Sequence, residues 1–141
     1  MSQENVEVMR RIAEDFLGVS ESGWEGWITG LSDAMDPGIE WDASEFEAPD
    51  IDGMYHGIEG VQRFWREWFG AWETLTFEYE LIDAGDRVVM LLDQRMKGRS
   101  TGIEIPIAKY AQVATFRAGL MVHWKLYVSQ AAALEAVGLR E

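Results

Sequence analysis

The segment from Thr74 to Ser129 limits the possible folds more than any other part of the chain. Leu75, Phe77, Tyr79 and Leu81 fall on one side of a strand, and Thr74, Thr76, Glu78 and Glu80 on the other. Ala84-Gly85-Asp86 reads as a turn and Arg87–Lys97 as a second strand. A looser turn through Gly98-Arg99-Ser100-Thr101-Gly102 precedes Ile103–Phe116, and Arg117-Ala118-Gly119 precedes Leu120–Ser129. Alternation of period two between glycine-bearing turns predicts strands with one buried face. Connections this short join antiparallel neighbours, because parallel strands need a long crossover. The result is a four-stranded meander whose apolar face needs a cover.

The first half of the chain supplies that cover. Val6, Met9, Ile12, Ala13, Phe16 and Leu17 recur at helical spacing, which predicts a helix from Gln3 to Leu17 ended by Gly18. Ser22-Gly23-Trp24-Glu25 has the spacing of a capping box. A second helix then carries Trp24, Trp27, Ile28 and Leu31 on one face and stops at Asp36-Pro37-Gly38. Ile39-Glu40-Trp41-Asp42 reads as a short strand, and Ala43 to Gly53 as an acidic irregular stretch. Its Asp50-Ile51-Asp52 lacks the oxygen spacing of a calcium loop. Tyr55-His56-Gly57 leads into a third helix, where Ile58, Val61, Phe64, Trp65, Trp68, Phe69 and Trp72 form the strongest apolar stripe in the chain. Gln130 to Val137 predicts a short alanine-rich helix with Gly138 as its cap. This order predicts one α+β domain over residues 1–141, a curved antiparallel sheet wrapped over three N-terminal helices. Such a sheet leaves a cone-shaped cavity where packing cannot close.

The net charge of −13, from 12 basic and 25 acidic groups, argues against a nucleic-acid partner or an anionic membrane. There is no cysteine, hence no thiolate nucleophile or thiolate metal site. No apolar run approaches the ~20 residues of a membrane span. Met1-Ser2-Gln3-Glu4 does not open like a signal peptide, so a cytoplasmic location is expected. His56 and His123 have no partner at metal-ligand spacing, and neither metal nor cofactor is expected.

Several segments carry a resemblance. They are Ile39-Glu40-Trp41-Asp42, the run Tyr55-His56-Gly57-Ile58-Glu59-Gly60, the hairpin Ala84-Gly85-Asp86-Arg87-Val88, the run from Gln112 to Gly119, and Ala133 to Leu139. In this element order they resemble the nuclear-transport-factor-2-like superfamily (NTF2-like, a cystatin-like fold), and within it the SnoaL-like, polyketide-cyclase-like branch. The resemblance implies a homodimer through the outer face of the sheet. For chemistry it implies little, since the fold hosts isomerases, cyclases, dehydratases, epoxide hydrolases and binding modules. Ser129 stands where many relatives carry an Asp.

Asp42 sits where the resembling ketosteroid isomerases keep their general base. A partly desolvated carboxylate there would have a raised pKa and could move a proton beside a carbonyl; its bland alternative is a solvated strand end. Gln112 matches the position of their oxyanion donor, and an amide can donate to the same oxygen. Ile12 or Phe16 stands near the first-helix Tyr of those enzymes, so Tyr110 or Tyr79 would have to serve as donor, and Tyr110 is the expected companion of Gln112. The expected ligand contacts are Trp41, His56, Trp65, Trp68, Tyr79, Gln94, Phe116 and Trp124. A tryptophan stripe at helical spacing is equally the mark of a core. Gln94 and Gln112 are equally able to bond each other. On the last strand Val122, Trp124, Leu126 and Val128 are expected to face in, and His123, Lys125, Tyr127 and Ser129 out. Two functions follow. One is cofactor-independent proton transfer on an apolar carbonyl compound: isomerisation, cyclisation or dehydration. The other is a non-catalytic module binding an apolar or aromatic small molecule. Epoxide hydrolysis is less favoured, because Asp93 and Arg95 are expected to point outward. A space shared by Asp42 with Tyr110 or Gln112 favours the enzyme; a space lined by apolar groups and amides favours the binder.

Overall fold

The computed structural model describes residues 2–18, 23–46, 53–98 and 104–139. Ser22, the acidic stretch 47–52 and the turn residues 99–102 lie outside the described residues. Helix α1 is Ser2–Leu17, α2 is Trp24–Leu31, α3 is Gly57–Ala71 and α4 is Gln130–Ala136. The strands are β1 Met35–Asp42, β2 Met54–His56, β3 Trp72–Ala84, β4 Arg87–Gly98, β5 Glu104–Arg117 and β6 Leu120–Tyr127. They form one sheet in the order β2-β1-β6-β5-β4-β3. The four-strand meander is present as expected, with β3, β4, β5 and β6 paired antiparallel in sequence.

Two strands extend the sheet beyond the meander. β2 pairs antiparallel with β1, and β1 pairs parallel with β6. Most of the chain separates β1 from β6, which gives a parallel pair the crossover it requires. β1 is twice the expected length. After α2 a 3-10 turn, Ser32–Ala34, leads directly into Met35. Asp36-Pro37-Gly38 therefore lies inside β1 rather than stopping a helix. It marks a register shift against β6 between Met35 and Glu40. Pro37 has no N–H for a ladder, which a bulge tolerates, and Asp36 accepts the Gly38 N–H at 2.8 Å. Trp72 also departs from expectation: it opens β3 instead of closing α3. Between β2 and α3 the chain reverses at Gly57, whose φ of +73° suits a residue without a side chain.

The inner face of the sheet carries Ile39, Trp41, Val88, Met90, Leu92, Tyr110, Ala114, Phe116, Trp124 and Leu126. Met9, Ala13 and Phe16 of α1, Ile28 and Leu31 of α2, and Val61, Phe64, Trp65 and Trp68 of α3 cover it. The outer face is partly covered too. Val89, Ala111 and Val113 pack against Ala133 and Leu134 of α4 and the adjoining Val137. So α4 occupies part of the surface that the resemblance assigns to a dimer contact. Ser129 has a structural task there, its Oγ accepting the Ala132 N–H at 3.1 Å as the N-cap of α4.

The β5–β6 hairpin corrects the expected phase of the last strand. Ala114 faces Trp124 and Thr115 faces His123, but Phe116 faces Met121. Val122 is thus the extra residue of a bulge, which flips the face taken by the residues before it. Met121 enters the core at 1% exposure, whereas Val122 remains half-buried. Met121→Ala should therefore cost about 2–5 kcal/mol of unfolding free energy, and Val122→Ala about 1 kcal/mol or less. Urea titrations of the two variants check this, and the reverse order would place the bulge elsewhere.

Candidate functional site

Strand alternation delivers Met90, Leu92 and Gln94 of β4, and Tyr110 and Gln112 of β5, to one inner surface. Opposite them stand Ile12, Ala13 and Phe16 of α1, Trp27 of α2, Trp65 and Trp68 of α3, and Phe77 of β3. These side chains line a partly open cavity of ≈ 40 Å³. A water takes ~30 Å³ of liquid volume, so this is space for a water, not for a ring. The cone expected between sheet and helices is largely filled by aromatic groups. Phe16 meets Trp27 edge-on with centroids 5.0 Å apart, and Trp27 meets Trp65 edge-on at 5.0 Å. Phe16 also lies 5.4 Å from Phe77.

The polar groups of the cavity are held by neighbours. The buried Tyr110 hydroxyl donates to Gln94 Oε1. Trp124 Nε1 donates to Gln112 Oε1 at 3.2 Å. The two amides are thus each tied to an aromatic donor, not to each other. In both cases the amide carbonyl is the engaged end, and this orients the NH2 end as what a ligand can use. Burial pushes the Tyr110 phenol far above its ordinary value, so it stays protonated. No carboxylate, histidine, lysine or arginine is among the described residues that line the cavity.

The expected site residues divide sharply. Trp65, Trp68, Gln94, Tyr110 and Gln112 line the cavity. Trp41 and Trp124 stand behind it, stacked at 3.9 Å and 10°, and Phe116 is buried in the same core. Tyr79 is drawn toward α1, donating to Glu14 Oε2 at 3.2 Å. His56 is exposed on the edge strand, with Nδ1 3.9 Å from Glu40 Oε2.

Asp42 lies on the face opposite Trp41. Its Oδ1 accepts from Ser44 N at 3.0 Å and Ser44 Oγ at 2.6 Å, and its Oδ2 lies 3.9 Å from Lys125 Nζ. Burial alone would raise its pKa. The two Ser44 bonds, with the charges of Lys125 and His123, outweigh burial and hold it below the usual carboxylate range. That is the reverse of the raised value a general base requires, and the carboxylate is not in the cavity. The residues that sequence reasoning passed over are Ala13, Trp27, Phe77, Met90 and Leu92. Met90 and Leu92 were available from parity with Gln94, but which aromatic side chains of α1 and α2 meet the sheet is decided by helix packing.

A carboxylate whose folded pKa is depressed adds stability above its unfolded value, about 3.9, and loses it as pH falls through the lower folded value. Asp42→Asn should accordingly destabilise the protein by about 1 kcal/mol at neutral pH, with the deficit shrinking toward acid. Urea unfolding of both proteins across pH 3 to 7 measures this, and a variant more stable than the parent at neutral pH would contradict the assignment.

Comparison with known proteins agrees with this geometry. The SnoaL-like domain family matches residues 22–124, more than half of the chain. An NTF2-like protein of unknown function from Burkholderia pseudomallei K96243 superposes with a TM-score of 0.75 at 21% identity, covering 96% of this chain and 98% of its own. A structure of TerC co-crystallized with polyporic acid gives a TM-score of 0.70 at 19% identity over 95% and 98%. A protein described as a SnoaL-like polyketide cyclase, from Jannaschia sp. CCS1, gives 0.70 at 18% over 99% and 94%. At these identities the structures establish the fold alone. A comparison with curated protein sequences finds no match. The family match, the helix-covered six-stranded sheet and the superpositions lead to one assignment: the chain belongs to the SnoaL-like domain family, of NTF2-like fold.

Proposed function

We propose that the protein is a non-catalytic binding module, which holds a flat apolar molecule by an acceptor oxygen, such as a ketone, in the inner cavity widened by displacement of its aromatic wall. The observation that carries this reading is the pair of bonds Tyr110–Gln94 and Trp124–Gln112. They engage the two amide carbonyls and leave the side-chain NH2 groups as donors toward the cavity. Aromatic walls suit a ring, and donors without a charge suit a neutral acceptor rather than an anion or a cation. The proton-transfer alternative needs a base beside the substrate. Asp42 is turned to the other face and Tyr110 is held protonated. TerC, a protein of the same fold, has been crystallized with polyporic acid, which is consistent with small molecules being held within such a sheet. A homodimer through the part of the outer face left free by α4 belongs to the same proposal, as the resemblance implies it.

The test compares 2-acetylnaphthalene with naphthalene, which has the ring but no acceptor. The ketone should bind tighter by about tenfold, the worth of one or two net hydrogen bonds. Replacing both Gln94 and Gln112 by Met keeps the side-chain lengths and removes both amide donors, so the preference should vanish while naphthalene binding stays. Titration calorimetry reads both. Equal affinity for the two probes, or a preference that survives the double replacement, would overturn the proposal.

A further inference from the structure

The inner cavity is far below the ~300–1,000 Å³ of small-molecule sites, yet a groove of that size adjoins it. Val8, Arg11, Ile12 and Asp15 of α1, Trp27 and Leu31 of α2, and the turn residue Gly119 border a groove of ≈ 550 Å³. Gly26 and Gly30 lie on its α2 side, where an added Cβ would meet nothing within 4 Å. Ile12 and Trp27 border both this groove and the inner cavity. The wall between the two spaces is therefore these two side chains. Trp27 Nε1 donates across the wall to the Ile12 carbonyl at 3.4 Å, longer than the usual 2.7–3.2 Å range. On its inner side the Trp27 ring rests edge-on against Phe16 and Trp65.

We infer that Trp27 is the gate and the size selector of the binding site. Turned inward, as here, it separates an outer vestibule from the donor-lined cavity. Turned out over Gly26 and Gly30, it would join them into one compartment of ligand size. Glycine at these two positions leaves the space such a swing requires, since any larger side chain would stand in the groove. The occupant is a neutral two- or three-ring aromatic compound, with its acceptor oxygen at Gln94 and Gln112 and its distal ring against α2. This choice of ligand rests on the function proposed above; the gate itself does not.

The experiment separates the two. Naphthalene, which has no acceptor, probes the gate alone. Trp27→Ala should bind naphthalene at least about tenfold tighter than the parent, equivalent to ~1.4 kcal/mol, with faster association followed by tryptophan fluorescence. Gly30→Leu, which fills the swing path, should slow association in the otherwise unchanged protein. Where Trp27→Ala folds poorly by thermal melting, Trp27→Leu serves in its place. Unchanged naphthalene affinity in the Trp27 variant, or unchanged association in Gly30→Leu, would overturn the gate. Should the gate behave as expected while 2-acetylnaphthalene shows no advantage over naphthalene in Trp27→Ala, the gate stands and the acceptor reading falls. Should the ketone advantage persist with no effect of Trp27, the acceptor reading stands and the gate falls.

Discussion

One indole couples the fold to the site. Trp124 faces Trp41 across the parallel β1–β6 pair, and their rings stack at 3.9 Å. The stack adds side-chain packing to the β1–β6 ladder, which joins β1 to a meander that begins some thirty residues later in the chain. The same ring's Nε1 donates to Gln112. A buried indole N–H must find an acceptor or cost of the order of 1–3 kcal/mol. Gln112 answers that need and in doing so is turned with its donors away from Trp124. The polarity of the cavity is thus a by-product of how the sheet is built.

Much of this architecture was legible in the sequence. Period-two alternation and glycine turns are local signals, and the hairpins obey them. The helical stripe of α3 is equally local. What was not legible depends on distant contacts. Nothing near Asp36-Pro37-Gly38 distinguishes a helix stop from a bulge in a strand; the pairing with β6 decides it. Nothing near Val122 announces that it is surplus, because the bulge arises from opposing Phe116 with Met121. Five of the expected site residues line the cavity because strand parity and the α3 stripe place them there. Asp42 follows the same parity rule in the opposite sense: with Trp41 inward, its neighbour must face out.

The position of Asp42 illustrates how one fold hosts unrelated tasks. In this chain the carboxylate at the end of β1 closes a turn with Ser44 and faces Lys125 and His123 on the outer surface. Its bonds to Ser44 tie the end of β1 to the residues that follow it. The residues that define the inner space are aromatic, aliphatic and amide groups. Ile12 and Phe16 add apolar wall to the same space.

In the proposed complex the amide N–H groups of Gln94 and Gln112 are the polar contacts of the ligand. This is tested most directly by proton–nitrogen NMR of the side-chain NH2 resonances during titration with 2-acetylnaphthalene. The NH2 protons of Gln112, and with them those of Gln94, should move downfield as they take up the ketone oxygen. Resonances of both amides that stay in place while signals around Asp42 and Lys125 shift would contradict it.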